Sequence, residues 1–101
     1  MKKNQIENLK RAVEDLHHCI ATHIEEVAII EKFGQKTVWN GIVHIFKIMG
    51  HPNTDICYAW SSPIKSSKKR RYYAVLKIPP IDSPEKAVRA SIVHDRKMGK
   101  I

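Results

Sequence analysis

The run over residues 37–49 constrains the fold more than any other part of the chain. Val38, Trp39, Ile42, Val43, Ile45, Phe46 and Ile48 make it rich in β-branched and aromatic side chains, and both of its alternating faces are largely apolar. A strand that is apolar on both faces needs cover on both. The pattern therefore predicts a central strand with other elements packed above and below it. Gly41 in its interior marks a bulge or a close approach of neighbouring atoms.

The elements around this strand follow from local signals. Ile6, Leu9, Val13, Leu16, Cys19 and Ile20 recur at steps of three and four, which predicts a helix over about residues 4–21. Residues 27–33 read as a strand, with a continuation of the helix as the alternative, because Phe33-Gly34-Gln35-Lys36 has the composition of a hairpin turn into the central run. Gly50-His51-Pro52-Asn53 reads as a second turn, and residues 55–60 as a short strand stopped by Ser61-Ser62-Pro63. A polar loop over residues 65–69 leads to a last strand over 70–78, which Pro79-Pro80 ends because proline cannot donate to a ladder. Ser83-Pro84-Glu85 then starts a helix running to about residue 96: serine caps, proline takes the first helical position, and glutamate complements the helix dipole. Beyond about residue 97 a basic tail is expected to fray.

The order is α-β-β-β-β-α. It predicts an α+β two-layer sandwich, an antiparallel sheet of three to four strands with both helices most simply on one face. At 101 residues the length fits one small domain with one modest core. No apolar run approaches the ~18–20 residues needed to span a bilayer. The N-terminus leads into a polar amphipathic pattern and not into the apolar core of a signal peptide, so the cytoplasm is the expected location. Cys19 and Cys57 form no CxxC pair and read as two buried thiols, with a disulfide as the alternative.

Charge is distributed unevenly. Residues 1–64 hold seven Lys/Arg and seven Asp/Glu, whereas residues 65–101 hold eleven and three, so the C-terminal part carries the whole formal charge of +8. A one-signed end on a small domain points to nucleic acid or another polyanion, with solubility as the ordinary alternative. The densest cluster is Lys65, Lys68, Lys69, Arg70 and Arg71, followed by Tyr72 and Tyr73. Closely spaced cations suit phosphates, and an adjacent aromatic ring suits stacking on an unpaired base. Solvated charges that protect a sheet edge from aggregation explain the same cluster without a ligand. Lys86, Arg89, Arg96 and Lys97 extend the patch if they share its side.

Two further groups are candidates. Six histidines are many for this length, and His23, His51, Tyr58 and Trp60 are candidate pocket residues for acid–base chemistry or ligand binding, since imidazole titrates near neutrality. Cys19 and His23 lie four apart, a spacing that suits two metal ligands on one helical face, but no second close pair accompanies them, so no metal and no cofactor are expected. No nucleophile elbow, glycine-rich phosphate loop or paired-carboxylate motif is present. Trp39 and Trp60 are expected to bury against a helix from neighbouring strands.

The strings Val38-Trp39-Asn40-Gly41-Ile42-Val43-His44-Ile45-Phe46, Gly50-His51-Pro52, Cys57-Tyr58-Ala59-Trp60-Ser61, Tyr73-Ala74-Val75-Leu76, Pro79-Pro80 and the stretch from Ser83-Pro84 to Val93 resemble a family of small uncharacterised bacterial single-domain proteins. The resemblance covers about residues 17–95. It implies a single compact domain and transfers no activity. The element order is also similar to the α-β-β-β-α order of the double-stranded-RNA-binding domain, provided that the strand over 27–33 is set aside. That domain reads RNA shape with its first helix, a loop and the basic start of its last helix, whereas here the lysine cluster precedes the last strand.

Taken together, the residues predict a binding module whose basic hairpin loop engages RNA or single strands. The alternatives are a small enzyme or ligand binder with the His/aromatic pocket, or an adaptor for an acidic protein or for a second copy of itself as a homodimer.

Overall fold

A computed structural model of the chain describes residues 2–64 and 68–97. The elements are α1 (Lys2–His17), β1 (Ile20–Phe33), β2 (Lys36–Met49), β3 (Ile56–Pro63), β4 (Arg70–Leu76) and α2 (Pro84–Lys97). The strands form one antiparallel sheet in the order β1-β2-β3-β4. The α+β class and the α-β-β-β-β-α order are those the sequence predicts. No helix among the described residues is long and apolar enough to cross a membrane. The tail expected to fray falls on residues 98–101, which lie outside the described ones.

The first helix ends four residues earlier than its apolar stripe predicts. Leu9 and Val13 are buried under it, but Leu16 is 58% exposed, so the stripe has already left the core by the last turn. His18 adopts a left-handed conformation at φ 51°, and the Cys19 N–H reaches back to the Glu14 carbonyl at 3.4 Å. This is the helix-ending geometry in which a left-handed residue lets the chain bond five positions back. A Glu14 carboxylate oxygen also accepts the Ala21 N–H at 2.9 Å, tying the first residues of β1 to the helix they leave. Glycine usually occupies the left-handed position because a side chain there is strained. His18→Gly is therefore expected to stabilise the protein by about 0.5–1 kcal/mol, seen as a rise of a few degrees in thermal melting. A lower melting temperature would contradict this account of the turn.

The strand predicted over residues 27–33 begins instead at Ile20, and its 14 residues pair with β2 from Ile20↔Met49 to Phe33↔Lys36. The hairpin turns at Gly34, whose φ of 64° suits glycine. A bulge at Ile24 interrupts the pairing, which steps from His23↔Phe46 to Glu25↔Ile45. The extra residue reverses the alternation. Ala21 thus faces the α1 side, and Val27 and Ile29 face the other. A strand whose inward positions change phase midway shows no steady period of two, which is why its first half escapes a pattern search.

The two helices lie on opposite faces of the sheet, not on one. Successive strand residues point to opposite sides, and β3 divides accordingly. Cys57 and Ala59 join Phe46, Ile48, Leu9 and Val13 under α1, whereas Tyr58 and Trp60 join Ile29, Val43, Ala87 and Val88 under α2. β2, apolar over much of both faces, supplies both layers, as its sequence requires. The α2 N-terminus forms as predicted, with the Ser83 Oγ accepting the Lys86 N–H at 3.3 Å.

The sheet is split at one end. β2 pairs with β3 only over His44–Lys47 against Ile56–Ala59, whereas β3 pairs with β4 from Cys57↔Leu76 to Pro63↔Arg70. Beyond His44 and Ala59 the two halves of the sheet diverge: β2 stays with β1 and β3 with β4. On the α2 side the wedge is closed by Trp39 packed edge-on to Trp60, ring centroids 6.0 Å apart. Gly41 makes room for this. A Cβ at that position would sit 2.9 Å from the far edge of the Trp39 ring. The divergence also explains why β3 runs through Ser61-Ser62-Pro63, since a proline is tolerated where no β2 neighbour lies opposite.

Candidate functional site

On the α1 side the wedge between β2 and β3 remains open as a cleft of about 240 Å³. Gln5 and Leu9 of α1, Asn40, Ile42 and His44 of β2, Ser61 and Ser62 of β3, and Arg70 of β4 line it. Arg70 is held in place by its neighbouring strand: its Nε donates to the Ser61 Oγ at 2.8 Å and its Nη2 to the Ser61 carbonyl at 3.1 Å. Two of the five guanidinium N–H groups are thus used and the rest remain for another acceptor. Among the described residues the lining includes no carboxylate. Chemically, a guanidinium with free N–H groups in a polar cleft can accept an oxyanion, because it recognises planar or tetrahedral oxyanions by paired hydrogen bonds.

Behind this cleft two imidazoles meet. His23 Nε2 and His44 Nδ1 are 3.0 Å apart, with the His23 ring also edge-on to Phe46 at 5.3 Å. The contact needs one nitrogen to carry the proton and the other to accept it, so the two rings cannot both be imidazolium while it persists. His44 is 9% exposed and lines the cleft.

The sequence-derived candidates scatter over this framework. Lys65 lies outside the described residues. Lys68 and Lys69 are exposed on the β3–β4 connection, where the Lys69 carbonyl accepts the Ile64 N–H at 3.3 Å. Strand alternation divides the arginines. Arg70 points to the α1 side and the cleft. Arg71 points to the α2 side, where its charge partly offsets the rise that burial and Asp95 cause in the Tyr73 hydroxyl's pKa. Tyr72 shares the Arg70 side and is half-buried against α1, in a shallow groove with Asn8, Arg11, Ala12 and Asp15. Tyr73 is not a free platform: it stacks on Trp60 at 5.1 Å and 7°, and its hydroxyl donates to the buried Asp95 at 2.7 Å. On α2, Lys86 is paired with Asp82 at 3.0 Å and Arg89 with Glu31 at 2.7 Å, so neither extends the cleft on the opposite face.

The group His23, His51, Tyr58 and Trp60 does not surround one cavity. Tyr58 and Trp60 lie in the core below α2, on the face opposite to His23. His51 sits in the turn after β2, where its Nδ1 accepts the Asn53 N–H at 3.1 Å and its ring lies 6.3 Å from that of His17. The physical reason is the period of the strands: residues 58 and 60 share a face, and the bulge at Ile24 sets which side His23 takes. The residues that do gather, His44, Asn40, Ser61 and Gln5, carry no motif that singles them out in sequence. The available signal is the pairing of β1 with β2, which sets His23 and His44 on adjacent strands, and that register cannot be found without the bulge.

Among the described residues no cluster of three or more His, Cys, Asp or Glu side chains is placed to hold a metal ion. Cys19 and Cys57 are both free thiols. Burial pushes the Cys57 thiol up to about 12 from an ordinary value of 9.0, with nearby Cys19 adding to the shift. Cys19 is also raised, by burial and then by Glu14. The thiolate is the reactive form. At pH 8 iodoacetamide is therefore expected to modify half-buried Cys19 first and Cys57 only on unfolding; equal rates in the native protein would contradict the packing. The same shift makes stability depend on pH with a definite sign. Because the folded value lies above the unfolded one, the contribution of Cys57 is complete below pH 9 and is lost as pH rises towards 12, at about 1.4 kcal/mol per unit.

Comparison of the chain with protein-family models, with curated proteins and with solved structures yields no match. The fold and the site therefore rest on their own geometry: an antiparallel sheet with a helix on each face, split at one end into a polar cleft that carries a fixed guanidinium.

Proposed function

We propose that this protein is a non-enzymatic binding domain that engages nucleic acid, RNA or a single strand in preference to a specific DNA operator, through the α1-side surface at the start of β4. Lys68, Lys69 and Arg70 contact phosphates there, and Arg11 and Tyr72 continue the same side along the groove beside α1. The observation that carries this reading is the anchored guanidinium of Arg70 above a cleft whose described lining holds no opposing carboxylate. Phosphate contacts of this kind supply affinity with little sequence information. Arg71 plays no part on this surface, since alternation turns it to the other side.

Titration of the ¹⁵N-labelled protein with a short uridine-rich RNA tests the placement. Shifts concentrated at Ser61, Ser62 and 68–72 with α2 unmoved are the expected result. Shifts centred on α2, or none at millimolar RNA, would overturn it.

A further inference from the structure

The cleft is larger than a phosphate contact requires. At about 240 Å³ it has roughly eight times the ~30 Å³ that one water takes in the liquid. A phosphate on Arg70 leaves most of it empty. We propose that it receives one unpaired nucleotide of the bound strand, the phosphate on Arg70 at the mouth and the base in the wedge between β2 and β3. This inference rests on the nucleic-acid reading of the α1-side surface.

The shape follows from the way the cleft is made. Two strands that part from a common pairing leave a slot between their edges, and a slot suits a planar ring. Leu9 and Ile42 supply apolar contact for the faces of such a ring, while Asn40, Gln5 and Ser62 supply neutral donors and acceptors around it. An amide offers both a donor and an acceptor, the combination that the Watson–Crick edge of an unpaired base presents in turn. Apart from Arg70 no Lys, Arg, Asp or Glu among the described residues lines the slot, so an uncharged base enters it without burying an unpaired charge. A base held in a duplex has this edge engaged and its faces stacked, so the cleft selects for single strands or for nucleotides already turned out of a helix.

The test is a set of fluorescence-anisotropy titrations at fixed low salt. The probes are a labelled uridine decamer, the same strand with its bases removed, and a ten-base-pair RNA duplex. The proteins are the wild type, the double variant Gln5→Ala/Asn40→Ala, and Lys68→Glu/Lys69→Glu. Gln5 and Asn40 are exposed, so the double variant keeps its fold, which circular dichroism verifies. The expected result is that the wild type binds the decamer at least ten-fold more tightly than the baseless strand or the duplex. The cleft variant then loses that ten-fold preference while its duplex binding is unchanged. The lysine variant weakens on all three probes. If the lysine variant weakens but the cleft variant binds the decamer like the wild type, the surface contacts phosphates and the nucleotide slot is wrong. Equal wild-type affinity for the decamer and the baseless strand overturns the slot as well. If the wild type binds none of the probes, the nucleic-acid reading itself fails and the slot with it.

Discussion

Replacing Trp60 by alanine is expected to lower the melting temperature by about 12–40 °C. Trp60 is 1% exposed, lies stacked on Tyr73 and edge-on to Trp39, and packs in the layer that holds Ala87 and Val88 of α2. Removing a buried tryptophan costs about 3–5 kcal/mol through lost transfer energy and the cavity left behind, and each kcal/mol corresponds to about 4–8 °C for a domain near this size. The effect reaches beyond the side chain. Tyr73 loses its stacking partner while holding the buried Asp95, and Trp39 loses the ring that closes the wedge on the α2 side. Thermal denaturation followed by circular dichroism reads the result. A fall of less than 5 °C would mean that the α2 layer is not a core of the fold.

The variant Lys68→Glu/Lys69→Glu/Arg70→Glu is expected to bind a single-stranded RNA at least a hundred-fold more weakly than the wild type at low salt. Three cations that face phosphate become three anions that repel it. All three residues are exposed, and exposed contacts such as the two Arg70 bonds to Ser61 contribute little, so the melting temperature is expected to fall by no more than a few degrees. The pairing of lost affinity with kept stability separates a binding surface from a structural one. Unchanged affinity would reduce these charges to a solvated edge of the sheet.

The sequence reveals most where a single local rule governs. The apolar run on β2 predicts a strand covered on both faces, and the structure covers it on both. Ser83-Pro84-Glu85 predicts a capped helix start, and the Ser83 hydroxyl makes that bond. Phe33-Gly34-Gln35-Lys36 predicts the hairpin, and Gly34 turns it. Legibility ends where two rules compete. Cys19 and Ile20 continue a helical spacing although the chain has already turned at His18, and no glycine announces that turn. The bulge at Ile24 breaks the alternation that would have extended β1 back to Ile20. Both misreadings fall within residues 18–24, and this segment decides which face His23 takes.

The candidate site is only partly legible for the same reason. Charge density in sequence points to Lys68, Lys69 and Arg70, but it cannot show that Arg70 and Arg71 face opposite sides, because that needs the strand boundaries. The cleft itself arises from the early parting of β2 and β3, a property of pairing register over His44–Lys47 that no composition encodes. Tyr58 and Trp60 are candidates in sequence because they are aromatic and near histidines; in space they are core.

The central claim, that the start of β4 holds phosphates, is tested most directly by the salt dependence of wild-type binding to a single-stranded RNA. Contacts from Lys68, Lys69 and Arg70 predict a slope of roughly −2 in log affinity against log salt, at about −0.7 per neutralised phosphate on a single strand. A slope near zero, or no binding at low salt, would contradict the account.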